Sequence, residues 1–428
     1  MTASARIAAV DLNGQLRGKR VPLEKLGQPV RMPFSALNVD VFGHDIEGSP
    51  LVFATGDADG TLLPSERDPV PLPWLDHSPQ LQLSQMYRED GTPFEGDPRR
   101  ALARVLEAYS AHGWAPHCAV ELEFYLVELD GALAAPVNPR SGRRLADPQV
   151  LGLRQLDGFE AFFNDVEIGA AAIGLAPSTI TSESGLGQFE VTLDHAPAMK
   201  AADDALFMKE LIKGTATNHG LSATFLAKPF SDDAGSGLHL HASILDTNGH
   251  NIFDDGTVQG TDTLRHAIAG TLQALPASTI FFAPNWGSYA RFVENAHAPT
   301  GACWGYDNRT VALRIPSGPN KARRFEHRVA GGDTNPYLLF AAILGAALTG
   351  MEDEIAPPAQ TKGNAYGQDA PKLAATMDAA ISALEDPLLT RIFDPLLLDN
   401  LTRTKRQDLA KCSQLSDTEL ILALLETV

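Results

Sequence analysis

The sequence predicts an α+β protein with two domains, a small N-terminal sheet domain and a larger domain of helices and strands. Residues 1–96 contain short alternating segments, many glycines and aspartates, and little helical periodicity, which is typical of short strands and turns. After residue 97, helical segments alternate with short strands that have one polar face. The segments PVPLPWLDHSP and GTPFEGDPRR separate the two regions. We therefore expect domains at residues 1–96 and 97–428.

The composition limits the partners of this chain. Its 428 residues carry a formal net charge of −19, which argues against a nucleic acid or an anionic membrane as partner and permits a cationic substrate. Its three cysteines lie far apart without a CxxC pair, so we expect reduced thiols in a cytoplasmic protein. The most apolar segment, LLFAAILGAALTG, is too short to span a bilayer and is predicted to be a buried helix.

The first long helix is predicted to begin at Pro98. Asp97 is a suitable N-cap, and proline is favoured at the first helical position. The periodic segment RRALARVLEAYSAHG then ends near Gly113. The segments GFEAFFNDVEIGAAAIG and MKAADDALFMKELIKGTATNHG have the same helical character, and the chain beyond about residue 365 is also predicted to be helical.

The segment AVELEFYLV, residues 119–127, is predicted to be a strand because its residues alternate between two faces. Glu121 and Glu123 share one face, roughly 6.5–7 Å apart along the strand. Four later segments repeat the arrangement of an apolar face opposite a charged or imidazole face. The polar residues are Glu190 in ESGLGQFEVTL, with Glu183 upstream; His239, His241 and Ser243 in GSGLHLHASIL; Arg314 in TVALRIP; and Arg324, Glu326 and Arg328 in RRFEHRV.

Five such strands together indicate one shared cavity, although a single strand of this kind is usually a solvent-facing surface. Carboxylates crowded at these separations repel one another unless cations lie among them. Oxygen ligands with one imidazole per site suit Mg²⁺ or Mn²⁺ better than a closed zinc site. Arginines complement phosphate and carboxylate, so the set fits phosphoryl transfer from a nucleotide. No Walker A loop and no GxGxxG fingerprint is present, so any ATP site is of another kind.

These segments, in this order, resemble the glutamine synthetase family. The matching pieces are VELEFYL, ESGLGQFE, the KPF before GSGLHLHAS, SYARFV, WGYDNRTVALRIP and KARRFEHRVAGGDTNPYLLFAAIL, which together cover roughly residues 97–350. The resemblance implies an N-terminal β-grasp domain and a catalytic domain with a curved antiparallel sheet and flanking helices. It also implies a homo-oligomer of hexameric rings, usually a dodecamer, whose active sites lie between neighbouring subunits.

The resemblance assigns two metal sites, each for Mg²⁺ or Mn²⁺, and ATP as co-substrate. The first metal, beside the phosphorylated carboxylate, takes Glu123, Glu183 and Glu190 as ligands. The second metal, which holds the nucleotide phosphates, takes Glu121, His239 and Glu326. The two carboxylates of VELEFYL are then paired because each faces a different cation.

The resemblance also assigns the substrate contacts and a two-step reaction. The γ-carboxylate of glutamate attacks ATP, and an amine displaces phosphate from the γ-glutamyl phosphate. The residues matched to the nucleotide are His241, Ser243, Arg314, Lys321 and Arg324. Those matched to glutamate are Gly235, Arg291 and Arg328, and Arg309 matches the residue that stabilises the transferring phosphoryl group.

The departures from the family pattern concentrate on the ammonium site. Where ammonia-using members carry a glutamate, the aligned stretch VENAHAP has His297, which could still act as a base. Glu294 is an alternative base nearby. The region LNVDVFGHD lacks the FDGSS-like pattern that supplies an aspartate from the neighbouring subunit, and an asparagine expected to contact glutamate is Ala234.

We therefore expect a γ-glutamyl–amine ligase that uses a polyamine or a small alkylamine. Asp57 and Asp59 in TGDADG could attract an ammonium group, or could form an ordinary Asp-Gly turn. Ethanolamine or an aromatic amine remains open, with Trp286 or Trp304 either lining the acceptor pocket or packing in the core. The alternatives are a true glutamine synthetase that uses ammonia and a non-catalytic structural or regulatory oligomer.

Overall fold

A computed structural model describes residues 4–129, 133–425 and 427–428. Two sheets organise the chain. The small N-terminal sheet contains β1 (Ser4–Val10), β2 (Leu16–Pro22), β3 (Val30–Pro33), β4 (Asp59–Pro64), β5 (Val70–Pro71) and β6 (Gln80–Tyr87). Its strand order is β2-β1-β6-β4-β3, with β5 paired to β6, and β1 and β6 run parallel.

The large sheet provides the surface on which the site is built. Its strands are β7 (Ala115–Leu129), β8 (Leu133–Ala134), β11 (Pro177–Ser182), β12 (Gln188–Pro197), β13 (Ser222–Thr224), β14 (Leu238–Leu245), β15 (Trp304–Tyr306), β16 (Leu313–Ile315) and β17 (Phe325–His327). The order is β11-β12-β7-β14-β17-β16-β15, with β8 and β13 paired to β7. Two short strands, β9 (Val137–Asn138) and β10 (Arg143–Arg144), pair separately.

Helices cover the apolar face of the large sheet and extend to the C-terminus. They are α1 (Pro98–Ala111), α2 (Leu153–Gly158), α3 (Glu160–Ala172), α4 (Ala198–Asn218), α5 (Asp262–Ala274), α6 (Thr279–Phe282), α7 (Pro336–Glu352), α8 (Met377–Ser382), α9 (Pro387–Ile392), α10 (Pro395–Cys412) and α11 (Asp417–Leu424). Helix α7 contains LLFAAILGAALTG and is buried over nearly its whole length. No helix among the described residues is long and apolar enough to cross a membrane.

The local predictions agree with these elements. Asp97 caps α1 by accepting a hydrogen bond from the Arg99 amide at 2.8 Å, and Pro98 is the first helical residue. Strand β7 alternates between buried and partly exposed residues along its first half, as the sequence pattern required. The predicted α+β architecture is confirmed, and the large sheet is antiparallel apart from the parallel pair β15 and β16. The division near residue 97 stays a prediction.

A buried polar network joins the small sheet region to α10. The Asn38 amide donates to the Thr404 hydroxyl at 2.7 Å, and the backbone amide of Val41 donates to Asp408 at 2.9 Å. Lys405, which is 1% exposed, pairs with Asp408 at 2.9 Å and donates to Asn13 at 2.8 Å. Buried groups of this kind are tolerated only when they are paired, so the N-terminal region is fixed against helix α10.

Candidate active site

Strand pairing brings the predicted carboxylates and imidazoles onto one face of the large sheet. In the register of β7 with its two neighbours, Glu123 lies opposite Glu190 and Glu121 lies opposite His239. On the next strand, His241 lies opposite Glu326. Side chains on directly paired residues are close enough to interact, so residues far apart in sequence form one cluster.

Two groups within this cluster have the geometry of cation sites. The ligand atoms of Glu121, His239 and Glu326 all lie within 4.8 Å of one another, as do those of Glu123, Glu190 and His239. Each group offers two carboxylates and one imidazole, which fits a hard divalent cation such as Mg²⁺ or Mn²⁺. His239 is shared by both groups, and Glu183 belongs to neither of these close triads, although its charge interacts with the cluster.

The electrostatics of the cluster favour a bound cation. Burial, followed by the charges of Glu121, Glu123 and Glu183, raises the pKa of Glu190 to about 9. Burial, followed by the charge of Glu123, raises the pKa of Glu183 to about 7. Both carboxyls therefore resist ionisation when no positive charge lies among them, and a cation at this position removes that penalty.

The other carboxylates are held by positive or hydrogen-bonding partners of the chain itself. Burial disfavours the charge on Glu121, but hydrogen bonds from His239 and His241 at 2.8 and 2.9 Å outweigh it and lower the Glu121 pKa. Burial likewise disfavours the charge on Glu326, and nearby Arg328 lowers its pKa despite that. Arg314 also donates to Glu326 at 2.9 Å, so two of the arginines that we predicted to contact substrates, Arg314 and Arg328, are engaged by a predicted metal ligand.

A cleft of about 540 Å³ continues from Glu121 along the same face. Four of the residues predicted to contact the nucleotide line it, namely His241, Ser243, Lys321 and Arg324. Arg324 donates to the Nδ1 atom of His241 at 3.1 Å, and Lys321 is exposed at the rim. A cleft with cationic side chains beside a carboxylate cluster can hold a polyphosphate whose charge is shared between cations and guanidinium groups.

The predicted glutamate contacts lie on the opposite side of the cluster. Arg291 is 5% exposed, lies against Gly235 and Gly237, and donates to the Val329 carbonyl at 2.6 Å. Its pKa is lowered by burial, and the charge of Glu123 opposes that shift. The backbone carbonyl of Arg309 accepts a hydrogen bond from Arg328 at 3.3 Å, and the Arg309 side chain is close enough to Glu183 to influence its pKa.

Residues 286–298, which we call the strap, include Arg291 and therefore lie beside Gly235 and Gly237. The strap begins with the 3₁₀ turn Trp286–Arg291 and ends at the buried Ala298. Glu294 and His297 are exposed in its central part, and Asn295 and His297 have positive φ angles of 64° and 56°. The residue that departs from the ammonia-using pattern therefore lies on a solvent-facing segment adjoining Arg291.

Comparison with known proteins identifies the family. Residues 95–421 match the profile of the glutamine synthetase catalytic domain. The chain belongs to the glutamine synthetase family. The predicted family is therefore confirmed, and the profile begins close to the predicted start of the larger domain.

Relatives within the glutamine synthetase family include enzymes named for organic amines. The gamma-glutamylputrescine synthetase of Escherichia coli is 37% identical over 379 residues, which are 85% of this chain and 79% of the relative. A glutamate–isopropylamine ligase of Pseudomonas is 30% identical over 405 residues, 91% of this chain and 87% of the relative. A crystal structure of a glutamine synthase homolog superposes with a TM-score of 0.86 at 27% identity, covering 100% of this chain and 99% of that one.

Several residues near the site were not predicted from the sequence. His117, His195 and Asn251 line the cleft beside the predicted nucleotide residues, and the His117 and His195 rings lie 6.2 Å apart. His117 has the same parity along β7 as Glu121, so extending the alternation by four residues would have found it. His195 lies where the pairing of β12 with β7 is irregular, and simple alternation gives no signal there.

Other predicted contacts have structural partners in this chain. Trp304 is buried and donates to the Pro358 carbonyl at 2.8 Å, which is a packing role, whereas Trp286 is 40% exposed at the start of the strap. Asp57 accepts a hydrogen bond from Ser35 at 2.7 Å, and Asp59 lies 3.7 Å from Arg31. Ala234, which replaces an expected asparagine, accepts a hydrogen bond from the Tyr125 hydroxyl through its carbonyl at 2.7 Å.

Proposed function

We propose that this protein is an ATP-dependent ligase that joins the γ-carboxylate of glutamate to an organic amine, with release of ADP and phosphate. The observation that carries the proposal is the shared face on which Glu121, Glu123, Glu190 and Glu326 surround His239. Such a set is needed where a nucleotide transfers its terminal phosphoryl group to a carboxylate, because both reactants are anions. The six predicted metal ligands are all present, which disfavours a non-catalytic oligomer.

We assign two divalent cations, Mg²⁺ or Mn²⁺, to this face. Glu123, Glu183 and Glu190 would hold one, and Glu121, His239 and Glu326 would hold the other. When bound, such cations neutralise phosphate oxygens and polarise the transferring phosphoryl group. The sharing of His239 between the two close triads supports neighbouring positions for the cations.

The chain supplies the orientation of both substrates. In our assignment the cleft lined by His241, Ser243, Lys321 and Arg324 takes ATP, with Arg314 near its phosphates. Arg291, Gly235 and Arg328 orient glutamate so that its γ-carboxylate faces the terminal phosphate. Arg309, whose charge reaches Glu183, stabilises the charge that develops on the transferring group.

The acceptor is assigned as a polyamine or small alkylamine. His297 would take the proton that the attacking amine loses, since an imidazole is a suitable base near neutral pH. A neutral imidazole attracts ammonium less than a carboxylate does, which favours an organic amine. The relatives named for putrescine and isopropylamine support this choice. Glutamine synthesis with ammonia is the second candidate, because the exposed carboxylate of Glu294 lies on the same strap.

The proposal includes a cytoplasmic homo-oligomer of hexameric rings, assembled as a dodecamer. In such an assembly Asp57 and Asp59 of one subunit would face the acceptor site of its neighbour and attract the ammonium group of a diamine. Size-exclusion chromatography with light scattering tests this part directly. A monomeric, fully active enzyme would contradict it.

Phosphate release tests the proposed reaction. Purified protein is assayed with ATP, Mg²⁺ and glutamate and with one amine at a time: ammonia, isopropylamine, ethanolamine, putrescine or spermidine. We expect release that requires glutamate and is much faster with one organic amine than with ammonia. Equal or faster release with ammonia would contradict the assigned acceptor, and release without glutamate would contradict the assigned acid substrate.

A further inference from the structure

The strap has buried anchor residues near each end and an exposed centre. Ser288 and Arg291 at its start are 2% and 5% exposed, and Ala298 at its end is 1% exposed. The residues between Val293 and His297 are exposed. The position of the central residues therefore depends on how the two ends are held.

Asp333 holds the start of the strap. This carboxylate is 3% exposed, and its Oδ2 atom accepts hydrogen bonds from the Asn285 amide at 2.9 Å and from the Ser288 hydroxyl. The Ser288 hydroxyl also accepts a hydrogen bond from the Asn285 backbone amide at 3.0 Å. One buried oxygen thus fixes both the residue before the 3₁₀ turn and a residue within it.

The turn that carries Asp333 is itself tied to the glycine segment on the other side of Arg291. The Gly332 amide donates to the Ser236 carbonyl at 3.0 Å, and Gly331 pairs with Gly237. The Gly331 amide also donates to the Phe282 carbonyl at 2.9 Å. Asp333 therefore connects the strap to the Gly235–Gly237 segment through a few short bonds.

Arg291 lies between these two connected segments with little free space. A Cβ atom added at Gly235 would lie 2.7 Å from the Arg291 Cγ atom, and one added at Gly237 would lie 2.6 Å from its Nη2 atom. Contacts this short exclude a side chain at either glycine unless Arg291 moves. The direction of the guanidinium is set by its hydrogen bond to the Val329 carbonyl at 2.6 Å together with the spacing between the strap and the glycine segment.

We propose that Asp333 is a positioning residue, which orients Arg291 for glutamate by fixing the start of the strap to the Gly235–Gly237 segment. It does so through Asn285 and Ser288 and touches no substrate in our assignment. The inference rests on the proposed function, because the role of Arg291 in binding glutamate is part of that proposal. Asp333 lies 42 positions after Arg291 in the sequence. In this proposal it affects the binding of glutamate and not that of ATP or the amine.

The far end of the strap has a separate support, which makes a matched comparison possible. The Tyr366 hydroxyl donates to the Ala298 carbonyl at 3.2 Å, next to His297. Tyr366 is 6% exposed and does not bond to Asp333. Because Tyr366 also interacts electrostatically with Arg291, loss of its hydroxyl should affect the amine more than glutamate, whereas loss of the Asp333 carboxylate should affect glutamate.

The test compares Asp333→Ala with Asp333→Asn, which keeps one oxygen in place to accept both hydrogen bonds. We expect Asp333→Ala to raise KM for glutamate about tenfold, with KM for ATP unchanged, since an oriented charge-assisted contact is lost. Asp333→Asn should recover most of the affinity, and Ser288→Ala should be intermediate. Equal increases in KM for glutamate and ATP, or no increase for either, would overturn the inference.

Two controls separate positioning from a general loss of stability. Asp394→Ala removes the N-cap of α10, which accepts from the Leu396 amide at 2.9 Å, and should lower Tm without changing either KM. Tyr366→Phe should raise KM for the amine more than KM for glutamate. An Asp394→Ala enzyme with the same KM pattern as Asp333→Ala would show that the pattern reflects stability alone and would overturn the inference.

Hydrogen exchange gives a readout that does not depend on the reaction. In Asp333→Ala, backbone amides between Ser288 and His297 should exchange faster, while those of β7 and β14 should be unchanged. Unchanged exchange in the strap would overturn the positioning role even if activity fell. A wild-type protein that releases no phosphate with glutamate and any amine would instead contradict the proposed function and leave the exchange result to decide the inference.

Discussion

Replacing Glu190 by glutamine should make the protein more stable than wild type without a divalent cation and less stable than wild type with one. The ligand oxygens of Glu190 and Glu123 lie within 4.8 Å of each other in one close triad. The pKa of Glu190 is raised to about 9 in the folded protein, so without metal this carboxyl is protonated at neutral pH when the chain is folded and ionised when it is unfolded, and that proton uptake opposes folding. Glu190→Gln is neutral in both states and keeps the shape of the protonated acid, so without metal the variant should be more stable than wild type at neutral pH by about 1–3 kcal/mol, a few degrees in Tm.

With a divalent cation the order should change. A ligand at a hundred times its Kd stabilises a folded protein by about 2.7 kcal/mol, and wild type should gain a stabilisation of this order from excess Mg²⁺. Glu190→Gln lacks one charged ligand and should gain much less. Differential scanning fluorimetry at neutral pH, with EDTA or with excess Mg²⁺, measures both differences.

A matched variant on the same strand controls for the loss of a carboxylate. Glu128 lies on β7 outside the cluster and pairs with Arg144 at 3.0 Å. Glu128→Gln should respond to Mg²⁺ as wild type does. If Glu190→Gln is less stable than wild type in EDTA and is stabilised by Mg²⁺ to the same extent as wild type, the carboxylates form a structural network and the cation assignment is wrong.

Three further predictions concern catalysis and pH. Glu123→Ala should reduce kcat by more than about a hundredfold, since it removes a carboxylate from the centre of the cluster; phosphate release at the wild-type rate would refute the metal assignment. His297→Glu should raise the ratio of ammonia use to alkylamine use about tenfold, because a carboxylate attracts ammonium; an unchanged ratio in competition assays would show that His297 does not set the nucleophile. Burial, followed by the charge of Lys213, lowers the pKa of Lys209 to about 7 from 10.5. Between pH 7 and pH 10.5, Lys209 is protonated in the unfolded state but largely neutral in the folded state. The free energy of unfolding therefore increases as pH rises from 7 towards 10.5. Lys209→Met should therefore have its largest Tm advantage over wild type at or below pH 7 and lose it as pH rises; a Tm difference that is the same at every pH would refute the shift.

The cluster could be predicted because its residues follow local rules. Glu121 and Glu123 share a face through the two-residue period of a strand, and Asp97 with Pro98 follows the rules for a helix start. The pairing of Glu123 with Glu190 could not be obtained from periodicity, since it depends on which strands are neighbours and in what register. The resemblance to the family only placed Glu123 and Glu190 at one metal site, and the structure shows that the register sets them opposite each other.

The supports of the site were missed because their partners are distant in sequence and lie in unremarkable segments. Asp333 follows two glycines and precedes α7, so the sequence suggests only a turn, and its bonds to Asn285 and Ser288 depend on the tertiary fold. The engagement of both Arg314 and Arg328 by Glu326 was also hidden. Period-two alternation predicts which residues share a face of a strand. Whether an arginine on that face pairs with a carboxylate of the protein or with a substrate depends on distances that only the fold sets.

The most direct test of the central claim is the product formed when the amines compete. Wild-type protein is incubated with ATP, Mg²⁺, glutamate and equal concentrations of ammonia, isopropylamine, ethanolamine and putrescine, and the products are identified by mass spectrometry. We predict one dominant γ-glutamylamide of an organic amine, formed together with ADP and phosphate. Glutamine as the dominant product would contradict the account.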